Sequence, residues 1–167
     1  MHTKAVFQGT KGLRRIGCAV LRFNFRGVGR SEGSFDEGRG ESEDFRAALD
    51  VMAGRYPALP LWVAGFSFGS WVALEAGAAD PRVSVLIGIA PPVAKYSYAA
   101  TLASAKPKFL VQGNLDEICP IKALWAFYAT LKEPKDIAVI DGANHLFDGK
   151  TPEVGDALED LLKDFDV

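Results

Sequence analysis

Short, almost wholly apolar runs alternate along this chain with segments whose apolar residues recur every three or four positions. Residues 18–24, 61–64, 83–89, 108–112 and 137–140 read as strands. The run at 83–89 has no polar face, which predicts a strand covered on both sides. Residues 3–16 read as a helix with Val6, Leu13 and Ile16 loosely on one face. In 41–52, Phe45, Ala48, Leu49 and Met52 fall at i, i+3, i+4 and i+7, the stripe of an amphipathic helix. Residues 70–79 and 121–131 are further helices, the latter with Leu124, Trp125 and Tyr128 in register. Val154, Leu158, Leu161, Leu162 and Phe165 mark a closing one. Strand–helix alternation of this kind predicts an α/β domain: a mostly parallel sheet with helices on both faces. Residues 27–40 form a long glycine-rich loop, and no repeat or linker divides residues 1–167, so one domain is expected.

The junction at Gly65-Phe66-Ser67-Phe68-Gly69 changes this from a fold to a candidate chemistry. A strand passing directly into a helix must reverse within a residue or two. The glycines on either side of Ser67 are expected to relieve the crowding, leaving the serine at an exposed tip beside the amides of a helix N-terminus. By composition alone, Gly-x-Ser-x-Gly should arise only about 0.05 times in a chain of this length. A serine hydroxyl hardly ionises near neutral pH, so it needs a base, and the base needs an orienting partner.

The chain has two histidines. His2 stands at the extreme N-terminus, where fraying is the default expectation, whereas His145 follows the strand at 137–140 in a turn-rich loop and is the expected base. The third member should be a carboxylate on another strand-end loop. Asp116, just after the strand at 108–112, is the choice; Glu117 is its near rival, and Asp141 and Asp148 flank the histidine on its own loop. Ser67, Asp116 and His145 would all sit at carboxyl ends of strands, where open α/β sheets gather their sites.

These residues, together with the segment Leu21-Arg22-Phe23-Asn24-Phe25-Arg26-Gly27-Val28-Gly29-Arg30-Ser31-Glu32-Gly33, then Ile89-Ala90-Pro91-Pro92, Gly113 to Asp116, Pro120 and Asn144-His145, resemble the α/β-hydrolase superfamily nearly end to end. The resemblance is to its small bacterial lidless members, close to the dienelactone hydrolase and short-chain carboxylesterase groups. Dienelactone hydrolases carry cysteine at the elbow, where this chain has serine. The resemblance implies an esterase reaction with Ser67 as nucleophile, His145 as base, Asp116 as its partner and the Phe68 N–H as one oxyanion donor. It also implies strands and a second donor loop ahead of the helix at 3–16. On that reading the fold is a truncated α/β-hydrolase with weakened activity, and a strand is missing between 18–24 and 61–64.

Other readings are weaker. Gly27-Val28-Gly29 suggests a dinucleotide site, but Glu32 stands where the third glycine belongs and the helix begins late, near Glu41. A haloalkane dehalogenase would need a carboxylate at position 67. A non-catalytic scaffold or interaction module is the competing function. Phe66 and Phe68 flank the nucleophile, and Tyr96 or Tyr98 could line an acyl pocket or simply pack.

Composition changes little. With 49% apolar residues, 24% charged and a net charge of −2, neither nucleic acid nor an anionic membrane is an expected partner. Lys11, Arg14 and Arg15 read as a solvated helix face. Cys18 and Cys119 suggest no disulfide framework, both being read as packing thiols, and no residues show metal-ligand spacing, so neither metal nor cofactor is expected. Without a signal peptide or a long apolar run the expected location is cytoplasmic. The expected partner is a small soluble ester, and a homo-oligomer is compatible with the sequence.

Overall fold

The computed structural model describes residues 3–165; His2 lies outside them. The elements run α1 (Lys4–Arg15), α2 (Arg39–Arg55), β1 (Leu61–Phe66), α3 (Phe68–Ala79), β2 (Val83–Ile89), α4 (Ala99–Ala103), β3 (Lys108–Gly113), α5 (Ile121–Thr130), β4 (Lys135–Ile140) and α6 (Thr151–Leu162). The four strands form one parallel sheet in the order β1-β2-β3-β4. No helix among the described residues is long and apolar enough to cross a membrane.

Successive strand side chains point to opposite faces, and the core divides accordingly. Val85, Ile87 and Ile89 of β2 and Phe109 and Val111 of β3 pack on one face with Leu13 of α1 and Val154, Leu158 and Leu162 of α6. Leu61 and Val63 of β1 and Leu86 of β2 pack on the other with Phe45 and Leu49 of α2 and Val72 and Leu74 of α3. Leu110 turns toward Leu124 of α5 on that second face. Residues such as Ile87 and Leu86 are fully buried, and truncating either to alanine would cost about 2–5 kcal/mol. Helices cover both faces, which explains why β2 has no polar face; its one polar residue, Ser84, donates its hydroxyl to the Leu61 carbonyl at 3.3 Å.

The strand expected at 18–24 does not join this sheet. Cys18 and Val20 lean toward the α1/α6 side while Phe23 and Phe25 lean toward the α2/α3 side, the alternation of an extended chain. Yet the segment forms no ladder, and β1 is the edge of the sheet beside it. Period-two patterning reports which face each residue serves, and it carries no information on whether a neighbouring strand is at hand. The loop that follows is fixed by α2. Asp44 accepts hydrogen bonds from the Arg26 N–H (2.8 Å) and guanidinium (2.9 Å). Buried Glu41 accepts from the Asp36 and Gly38 N–H groups at 2.9 and 2.8 Å.

Candidate active site

β1 ends at Phe66 and α3 begins at Phe68, so Ser67 alone makes the turn. Its backbone has φ 52° and ψ −125°, a conformation that costs a non-glycine residue of order 1–3 kcal/mol. The turn is held by the Ser67 N–H donating to the Ile89 carbonyl at 2.9 Å. The two glycines of the motif are not equivalent. A β-carbon on Gly65 would lie 2.1 Å from the Gly69 carbonyl oxygen, so only glycine fits there. A β-carbon on Gly69 would meet nothing closer than the Phe25 ring at 3.7 Å, an ordinary contact. The expectation that both glycines relieve a clash therefore holds for Gly65 and fails for Gly69, because it is the Gly69 backbone that Gly65 must clear.

The structure brings Ser67, Asp116 and His145 together. His145 Nε2 lies 2.8 Å from Ser67 Oγ, and Nδ1 lies 2.8 Å from Asp116 Oδ2. An ionised carboxylate only accepts, so Nδ1 carries the proton and Nε2 is left to accept from the serine hydroxyl. Asp116 and His145 are buried and Ser67 is half-buried. The rivals stand elsewhere: Glu117 is exposed, Asp141 accepts from the Asn114 side chain, and Asp148 accepts from that of Asn144.

The loops after β3 and β4 meet because Gly113 has no side chain. A β-carbon there would lie 2.3 Å from the Ala143 carbonyl oxygen, whose other neighbour is the Leu115 N–H at 3.0 Å. Asp116 Oδ1 accepts from the Ile118 and Cys119 N–H groups, each at 2.8 Å. Its Oδ2 accepts from the amide of Gln112 at 2.8 Å as well as from His145. Burial alone would push this carboxyl up. The bond to His145, with the Cys119 and Ile118 amides, outweighs it and holds Asp116 below the ordinary carboxylate range.

Gln112 was not singled out from the sequence. Fully buried at the end of β3, its Nε2 also donates to the Cys119 carbonyl at 2.9 Å, so both amide protons are used and one of them fixes Asp116. The available signal was a polar residue closing an apolar strand just before Gly113. Cys119 is buried against Leu124 and serves packing, as expected.

The flanking aromatics divide by role. Phe66 lies against the His145 ring, centroids 5.3 Å apart. Phe68 contacts Phe25, Phe35 and Tyr96 at 6.0, 5.5 and 5.9 Å, and Tyr96 stacks on Trp71 at 4.4 Å. Together they form an aromatic wall beside Ser67. Tyr98 is buried against Phe127 and belongs to the core. The Phe68 N–H, first in α3, has no backbone acceptor among the described residues and adjoins Ser67.

A family model described as serine aminopeptidase, S33, matches residues 1–106. The chain belongs to that family, within the α/β-hydrolase superfamily. An α/β serine hydrolase homologue from Coxiella burnetii is 38% identical, with a TM-score of 0.90 over 97% of this chain and 77% of that one. A member of the α/β serine hydrolases without a lid, from Xanthomonas campestris, is 38% identical, with a TM-score of 0.88 over 96% of this chain and 72% of its own. An uncharacterised protein of Rickettsia prowazekii is 36% identical over 97% of this chain and 72% of the relative. The hydrolase architecture inferred from the order of the motifs is thus the architecture of this chain.

Proposed function

We propose that this chain is a serine hydrolase that cleaves small, soluble carboxylic esters through an acyl-enzyme on Ser67. The observation that carries the reading is the His145 ring, which spans Ser67 Oγ and Asp116 at 2.8 Å on each side. His145 Nε2 takes the serine proton as Oγ attacks the ester carbonyl carbon. The Phe68 N–H donates to the oxygen that becomes negative. Asp116 keeps the imidazole in the reactive tautomer and balances its positive charge. As the tetrahedral adduct collapses, the C–O bond to the alcohol breaks and the imidazolium returns its proton to the departing oxygen. Water then repeats the sequence, releasing the acid and restoring Ser67.

Access also favours small esters. The connection from β2 to α4 is brief, and Phe35 beside Phe68 is 64% exposed. With the Phe68 N–H as the one donor identified at the oxyanion among the described residues, turnover is expected to be about 10²–10³ below that of a relative with two such donors. The test sets a p-nitrophenyl acyl ester against an amino-acid p-nitroanilide, because the family is named for an aminopeptidase. Faster release from the ester, abolished in Ser67→Ala, supports the reading. Preference for the anilide would replace esters with amides as the substrate, and no turnover of either would favour a scaffold.

A further inference from the structure

The bonds of the tetrahedral carbon formed at Ser67 have fixed destinations. One goes to Ser67 Oγ. The oxyanion points at the Phe68 N–H, and the departing oxygen must lie within reach of His145 Nε2, which returns its proton. The bond to the acyl group takes the direction left over, away from the His145 ring. The aromatic rings near the nucleophile divide along the same line. Only Phe66 among them packs on His145, whereas Phe25, Phe35, Trp71 and Tyr96 all gather on Phe68. The wall they make therefore stands on the acyl side, and the alcohol leaves past His145.

That wall is fixed by contacts of its own. Trp71 Nε1 donates to the Ser97 carbonyl at 2.8 Å, which holds the segment carrying Tyr96 against the Trp71 ring. From the other direction, a β-carbon on Gly38 would lie 2.3 Å from that ring, so the end of the 27–40 loop is seated on Trp71. Asp44 and Glu41 tie the rest of the loop to α2. Phe35 is thereby carried to the Phe68 ring, centroids 5.5 Å apart in an edge-on pair, while staying 64% exposed. A scattered exposed apolar side chain is ordinary. This one is continuous with four other rings and stands at the mouth of the site, with most of its surface free for a further contact.

Resting on the acyl-enzyme reading above, we propose that this wall is the acyl subsite and that it selects esters of aryl-substituted acids, a single ring close to the carbonyl carbon. Phe68 directly follows the nucleophile, so the wall begins where the acyl group begins. A ring laid there makes edge-to-face contacts with Phe35 and Phe68 that an alkyl chain of similar area does not, and it has fewer rotamers to lose on binding. Phe35 is the specificity-determining residue, because it is the ring with the most surface still to cover.

The p-nitrophenyl esters of phenylacetic, hexanoic and acetic acids share a leaving group. Their kcat/KM values, each divided by the ester's rate with hydroxide, therefore report the acyl side. Phenylacetate should exceed acetate at least about tenfold and hexanoate by about 3- to 10-fold. Phe35→Ala should shrink the advantage over hexanoate to within about twofold, and Phe35→Tyr should keep it. Val51→Ala, which removes a similarly exposed apolar side chain from α2, should leave the ratio as it was. Hexanoate turned over as fast as phenylacetate, or a preference that survives Phe35→Ala, would overturn the proposal. Should no ester turn over, the esterase reading fails by itself and binding decides the subsite. Saturation-transfer NMR should then show protein contact to the ring protons of free phenylacetate, weakened at least about threefold in Phe35→Ala. No contact, or a signal that Phe35→Ala does not weaken, would overturn the subsite as well.

Discussion

At the carboxyl end of β3, both oxygens of Asp116 accept two hydrogen bonds each, from Ile118, Cys119, Gln112 and His145. Along the outer edge of β1, some of the same chain's peptide groups face an apolar slot with no strand opposite. Both regions flank the elbow, yet one is over-determined and the other is open. The difference lies in where the partners come from. The polar cluster draws its contacts from two loops held together by Gly113, whereas among the described residues no strand pairs with the outer edge of β1. The geometry at Ser67 therefore does not require the slot to be filled, since its turn is fixed on the opposite side by Ile89 of β2.

That contrast can be broken from either side. The largest expected effect is on chemistry: Ser67→Ala or His145→Ala should lower ester turnover by at least about 10⁴-fold with unchanged circular dichroism. Asp116→Asn should cost about 10⁴-fold in kcat with little change in KM, because the histidine would be held in the wrong tautomer. In the slot, hydrogen exchange of residues 19–24 should exceed that of β2 by about 10³-fold, since one set of amides is unpaired and the other lies in a buried ladder. Gln112→Leu removes one of the four bonds to Asp116 and strands the Cys119 carbonyl. Turnover should fall about 10- to 100-fold, with the loss concentrated in kcat.

The smallest effect concerns acid. Asp116 and Asp80 are both held below the ordinary carboxylate range. Asp80 is lowered to about 2, chiefly by its hydrogen bonds from Arg82 and against the effect of burial. A depressed carboxyl contributes stability above its unfolded pKa of about 3.9 and loses it as pH falls through the folded value. Denaturant titrations should show stability declining below about pH 4, and more shallowly in Asp80→Asn.

Much of this was legible in the sequence, and the omissions have physical causes. Strands β2 and β3 and helices α3 and α5 follow from apolar runs and helical spacing within a residue or two of each end. The meeting of Ser67, Asp116 and His145 follows from chain order, since each lies beyond the carboxyl end of a strand of one parallel sheet. The short helix α4 was missed because its five residues are too few to show a period. In the sequence Gln112 and Lys108 show only as strand residues. Lys108 is fully buried, its ammonium donating to the Ser104 and Lys106 carbonyls at 2.8 and 2.7 Å. Both depend on acceptors brought by loops, which no local pattern reports. The unpaired state of 18–24 is hidden for a related reason: pairing is a property of two segments, and a period-two pattern reports on one.

The most direct test is reaction of the purified chain with a fluorophosphonate probe, with the site mapped by mass spectrometry. One adduct is expected, on Ser67 Oγ, lost in Ser67→Ala and slowed in His145→Ala. No adduct on folded protein, or equal labelling when His145 is removed, would contradict it.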